Sequence, residues 1–167
     1  MHYKFKNKQK GRPSGRDPMN IKDFLSPENV IADLHVSDKA GLLRDLARRV
    51  AGTLNIPTER IASELLKREE LGSTGTGGGV AIPHARMPEV KKPYGILARL
   101  DKAIEFSAID SKPVDMVFLL LLPAAPAGEQ LTALASVARK LRDTASLGHL
   151  RTAVNHAELY QAMIREP

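Results

Sequence analysis

The sequence predicts a layered α/β domain, and three observations carry that prediction. Segments with helical spacing of apolar residues alternate with short apolar runs of strand length. One run, "VDMVFLLLL" from Val114 to Leu122, is almost wholly apolar, as a central strand covered on both faces must be. The chain also has 167 residues, 43% of them hydrophobic, which suffices for one domain with a real core.

The elements follow in order from residue 20. "VIADLHV", Val30 to Val36, alternates in part and reads as a strand. Ser37 reads as the N-cap of a helix through about Leu54, with Leu43, Leu46, Ala47, Val50 and Leu54 on one face. Pro57 and Thr58 open a second helix, where Ile61 and Leu65, and Ala62 and Leu66, pair at i, i+4. It runs to about Glu70 and stops at Gly72. After a glycine-rich loop, "VAIP" (Val80 to Pro83) and "YGILARL" (Tyr94 to Leu100) are short strands, followed by the central run. Gly128 opens a third helix with Leu131, Leu134, Ala135, Ala138 and Leu141 on one face. A last helix spans roughly Asn155 to Ile164, capped by Asn155.

Composition narrows the function classes. The absence of cysteine excludes disulfides and cysteine-based metal sites or nucleophiles. The longest apolar run, Met116 to Pro123, is far short of the roughly 20 residues a membrane span needs. "MHYKFKNKQK" has no apolar h-region, so the expected location is the cytoplasm. The net charge of +6 suggests nucleic acid until its distribution is read. Residues 1–19 hold six basic residues against Asp17, or +5, leaving nineteen basic and eighteen acidic residues in the remainder. Residues 20–167 are therefore expected to form a nearly neutral domain, preceded by a basic, disordered extension or an upstream start. The alternative is an electrostatic arm for nucleic acid or lipid.

The most informative stretch is "GSTGTGGGVAIPHAR", residues 72 to 86, with five glycines and three hydroxyls upstream of His84. It is not a nucleotide loop. A P-loop counted from Gly72 to Gly77 has Gly78 where lysine is required. A dinucleotide fingerprint from Gly75 and Gly77 ends on Val80 instead of glycine. The loop also leads from a helix into a strand, the reverse of both motifs.

An imidazole near its ordinary pKa of about 6.5 is neutral often enough at pH 7 to act as a nucleophile. A phosphoryl group on its ring would need donors and positive charge nearby. Backbone N–H groups of Gly72, Gly75 and Gly77, and the hydroxyls of Ser73, Thr74 and Thr76, are candidate donors. Arg68 precedes the loop, Arg86 follows the histidine, and Pro83 restrains the backbone that aims the ring. The plainer alternative is a structural histidine after an ordinary loop.

"LLKREELGSTGTGGGVAIPHARMP" closely resembles the active-site signature of the fructose/mannitol-type enzyme IIA family of the bacterial phosphotransferase system. "IEFSAIDSKPVDMVFLLLLPA" and "GEQLTALASVARKLRD" fit the same family in the same order, and the whole is most similar to its nitrogen-regulatory branch. The resemblance implies a mixed β-sheet flanked by helices on both faces. It implies His84 as phosphoacceptor, Arg68 as the phosphate-facing arginine, and an HPr-like histidine phosphocarrier as donor, with no cofactor, metal or nucleotide in the transfer. The sequence departs from the pattern at Gln130, where a second histidine is common. A glutamine cannot carry a proton charge, but its amide can donate to a phosphoryl oxygen or to the acceptor ring. Ala85-Arg86 also replaces a common Gly-Lys, keeping the basic charge.

His2, His35, His149 and His156 have no second ligand at metal-like spacing and read as structural or solvated. Glu69, Glu70, Asp110 and Asp115 read as helix-surface or turn residues. The expected function is a regulator whose partners respond to phosphorylation of His84, a phosphotransferase-class component with a phosphohistidine intermediate. A sugar-specific IIA that passes phosphate to a IIB protein ranks second, since no fused IIB or IIC segment is present. A non-phosphorylated interaction module, favoured by Gln130, ranks third.

Overall fold

The computed structural model describes residues 19–124 and 127–166. The apolar run becomes β6 (Val114–Pro123), in which every residue from Met116 to Leu122 is buried. Both edges of this strand are paired. β5 (Tyr94–Ile104) lies antiparallel along one edge, with Gly95 opposite Leu120. β3 (Val80–Ala81) and β4 (His84–Met87) lie parallel along the other, with Val80 opposite Met116 and His84 opposite Leu120. β1 (Val30–Leu34) adds in parallel beside β5, and β2 (Gly75–Gly77) adds antiparallel beside β3. The result is a mixed six-stranded sheet in the order β1-β5-β6-β3-β2, with β4 beside β6.

Side chains of a strand alternate between faces, so β6 contributes to two cores at once. Val117, Leu119 and Leu121 meet α1 (Lys39–Leu54) and α2 (Thr58–Glu70). Met116, Phe118, Leu120 and Leu122 meet α3 (Ala127–Arg142), α4 (Thr144–Thr152) and α5 (His156–Ile164). Helices cover both faces, as expected. Phe118 also meets Phe24 edge-on, with ring centroids 6.1 Å apart.

Several expectations are corrected. The cap of α1 is Asp38 rather than Ser37, because the Asp38 carboxylate accepts from Gly41 N at 2.7 Å. The first strand ends at Leu34, before Val36. The buried stripe of α3 is Gln130, Ala133, Val137 and Leu141, while Leu131 and Ala135 are exposed. Among the strands and α-helices, three were not foreseen. β2 and β4 are too short to show a period, and α4 buries only Leu150, so it has no apolar stripe. Asn155 does cap the last helix, accepting from Glu158 N at 2.9 Å.

The basic extension lies, apart from Met19, outside the described residues. Met19 itself packs on the α3 side, where the Ser136 hydroxyl donates to its carbonyl at 3.0 Å. Among the described residues, no helix is long and apolar enough to cross a membrane.

Candidate functional site

Proline cannot donate to a ladder, so Pro83 splits "VAIPHARM" into β3 and β4 along the same edge of β6. Pro83 still accepts from Leu120 N at 2.9 Å, which pins the interruption to the central strand. His84 is thus the first residue of a strand and not a loop residue.

Its Nδ1 lies 2.7 Å from the carbonyl oxygen of Ile82. A carbonyl only accepts, so Nδ1 carries the proton. In the neutral ring, Nε2 then holds the free lone pair. Burial pushes the pKa of His84 below its ordinary value, the Ile82 bond opposes that in part, and the charges of Arg68 and Arg86 lower it further. The ring is therefore predominantly neutral at pH 7 and offers Nε2 as a nucleophile.

His84 lines a cleft of about 340 Å³ between α2, β4 and α3, together with Arg68, Arg86 and Gln130. Three cations, Lys67, Arg68 and Arg86, face it against one carboxylate, Glu64, so the cleft favours an anion. Arg68 Nη1 donates to the carbonyl of Gly72 at 2.8 Å, which ties the end of α2 to the start of the glycine loop. The remaining guanidinium donors are not used by that bond. The rim of the cleft includes Leu71, 86% exposed, and Leu131, 59% exposed. Sequence reasoning assigned Leu131 to a core face and gave Leu71 no role. Leu71 follows directly on the helix end that its arginine marks, which was the available signal.

Gln130 is 1% exposed, so its place in the cleft is an interior one. Its Nε2 donates to the carbonyl of Pro123. Its Oε1 is buried without a hydrogen-bond partner among the described residues.

None of Gly72, Ser73, Thr74, Gly75, Thr76 or Gly77 lines this cleft. The three hydroxyls are bonded inside the protein: Ser73 to the Phe106 carbonyl at 3.1 Å, Thr74 to Glu69, and Thr76 to the Val80 carbonyl at 3.4 Å. Glu69 is also displaced from its expected surface position, with a side chain only 5% exposed. Asp110 is a turn residue as expected, accepting from Gly78 N and Lys112 N. Asp115, expected at a helix surface or in a turn, lies instead near the start of β6 and pairs with Arg151 at 2.9 Å. His35 meets Asp101, and His156 bonds the Val30 carbonyl at 2.9 Å, both away from the cleft.

A mixed sheet with helices on both faces is the fold of solved phosphotransferase IIA domains. The mannitol IIA of Escherichia coli shares the fold, with a TM-score of 0.70 at 18% identity over 83% of this chain and 98% of that one. The chain belongs to the family described as phosphoenolpyruvate-dependent sugar phosphotransferase system, EIIA 2, which matches residues 23–166. Its relatives place it in the nitrogen-regulatory branch. It is 39% identical to a nitrogen regulatory protein of Bradyrhizobium diazoefficiens, over 89% of this chain and 97% of the relative. The crystal structure of nitrogen regulatory protein IIA-Ntr from Neisseria meningitidis superimposes with a TM-score of 0.82 at 31% identity, covering 86% of this chain and 98% of that one.

Proposed function

We propose that His84 accepts a phosphoryl group on Nε2 from the phosphohistidine of an HPr-like carrier, and that the phosphorylated and free forms bind different regulatory partners in the cytoplasm. The observation that carries this reading is the bond from Nδ1 to the Ile82 carbonyl, which leaves Nε2 unprotonated in the cleft. The lone pair of Nε2 attacks phosphorus in line. The P–N bond to the carrier breaks, and the electron pair returns to the carrier's ring nitrogen. Nδ1 keeps its proton throughout, so the phosphorylated ring is cationic and the Ile82 carbonyl stabilises it. A cationic ring is also a good leaving group, which keeps the phosphoryl group transferable.

Arg68 and Arg86 are the cationic groups that oppose the charge on the equatorial oxygens. The loop from Gly72 to Gly77 acts through placement rather than direct contact: it holds the carbonyl that Arg68 grips. Leu71 and Leu131 give the carrier an apolar rim to cover on docking. Transfer sets a phosphoryl group of nearly two negative charges beside a cationic ring, a net gain of about one negative charge at this rim, enough to change which surface it fits. The phosphoacceptor domain spans 20–167, with Met19 packed against its α3 side.

Incubation with phosphorylated carrier should add the mass of one phosphoryl group to the wild-type chain and none to His84→Ala. A truncation beginning at Met19 should be labelled as fully as the whole chain. An unlabelled wild type would overturn the reading in favour of a non-phosphorylated interaction module. Label surviving in His84→Ala would overturn the site.

A further inference from the structure

Phosphoryl transfer between two imidazoles leaves one buried acidic group of this chain without a task. Glu69 follows Arg68 at the last residues of α2 but is engaged elsewhere. Its carboxylate pairs with Lys39 Nζ at 2.6 Å, and accepts from Thr74 N at 3.2 Å and from the Thr74 hydroxyl. Lys39, the first residue of α1, is itself fixed by the Phe106 carbonyl at 3.1 Å and stands 4.4 Å from the centre of the Phe106 ring. The same carbonyl accepts from Ser73. Lys39 and Thr74 thus meet on one carboxylate, and the Phe106 carbonyl ties Lys39 to Ser73 beside it.

A chain of bonds leads from this point to the histidine. Thr74, held by Glu69, accepts from Ile82 N at 3.0 Å through its own carbonyl. Ile82 in turn accepts from His84 Nδ1 at 2.7 Å. Every link is a directed donor–acceptor pair, and the glycine loop is the segment that joins the two ends.

We propose that Glu69, clamped by Lys39, is a positioning residue for His84: it fixes Thr74, and through Thr74 and Ile82 it selects the ring tautomer with Nδ1–H and a bare Nε2. The glycine-rich loop is then the coupling between the end of α2 and the imidazole. The hydroxyls of Ser73 and Thr74 serve the hub rather than a bound phosphate. The functional meaning rests on the phosphoacceptor reading above, whereas the tautomer assignment does not.

The test is long-range ¹H–¹⁵N NMR of the His84 ring at a pH where it is neutral. The wild type should show protonated Nδ1 and bare Nε2. In Glu69→Ala, the Nε2–H tautomer should rise to a comparable population, and label transfer from the phosphorylated carrier should slow by roughly 10- to 100-fold. Glu69→Gln keeps an acceptor for Thr74 and should recover most of the wild-type tautomer ratio. Asp115→Asn, which disturbs the Arg151 pair, should leave the ring unchanged. If Glu69→Ala does not fold, Thr74→Val, which removes only the hydroxyl link, must show the same shift in smaller measure. A folded Glu69→Ala or Thr74→Val with the wild-type ring pattern would overturn the proposal. A shifted tautomer in a protein that never takes label would instead keep the positioning role and overturn the phosphoacceptor reading.

Discussion

Burial and the charges of Arg68 and Arg86 lower the pKa of His84, while the Ile82 carbonyl and Glu69 oppose them. The folded chain therefore binds this proton less readily than the unfolded chain, whose imidazole titrates near about 6.5. The associated stability is present above that pH and is lost as the pH falls through the folded pKa. Urea midpoints taken on either side of this window should fall more steeply with acid for the wild type than for His84→Gln. Equal slopes would contradict the shift. Gln130 makes a second residue-scale case. Its buried Oε1 has no partner among the described residues, at a cost of about 1–3 kcal/mol. Gln130→Leu removes that orphan but strips the Pro123 carbonyl of its donor. The two effects offset, and the variant should unfold within about 1 kcal/mol of wild type in urea. At this scale the sequence displayed His84, Arg68 and Gln130, because side-chain chemistry is written in residue identity. It could not display the Ile82 carbonyl, since every residue has one.

The legible elements were those with an apolar stripe or an apolar run: α1, α2, α5, β1, β3, β5 and β6. β2 and β4 were not, because three or four residues cannot show a period and Pro83 reads as an end rather than a break. The face of α3 came out rotated because leucines were assigned to the interior. In the fold a glutamine occupies that place and Leu131 stands at the rim of the cleft. A local rule is broken where the candidate site needs it broken. β2 is packed without spare room. A Cβ on Gly75 would lie 2.7 Å from Ala108 Cβ and 2.8 Å from its Cα, which is backbone and cannot yield. Gly75→Ala should cost about 1–3 kcal/mol, seen as a lower urea midpoint. Asn155→Ala removes the cap of α5 and should cost about 1 kcal/mol by the same measure. A loss nearer zero would mean that water replaces the cap in full.

At the scale of the whole molecule, the alternation of β6 accounts for the layers. The expectation of a strand covered on both faces rested on its almost wholly apolar run, and the two clusters show why no polar residue stands between Met116 and Leu122. Phe118→Ala should cost about 3–5 kcal/mol. Against a total near 5–15 kcal/mol for a domain of this kind, that should lower the calorimetric Tm by many degrees. The wider consequence concerns how the chain comes apart. Because the two cores share one strand as a common wall, neither helical layer can detach without exposing the other's partner. The amides of Val117 to Leu121 should then exchange with deuterated water only by global opening, and at one common free energy on both faces. The edges of the sheet, β1 and β2, are left to open on their own.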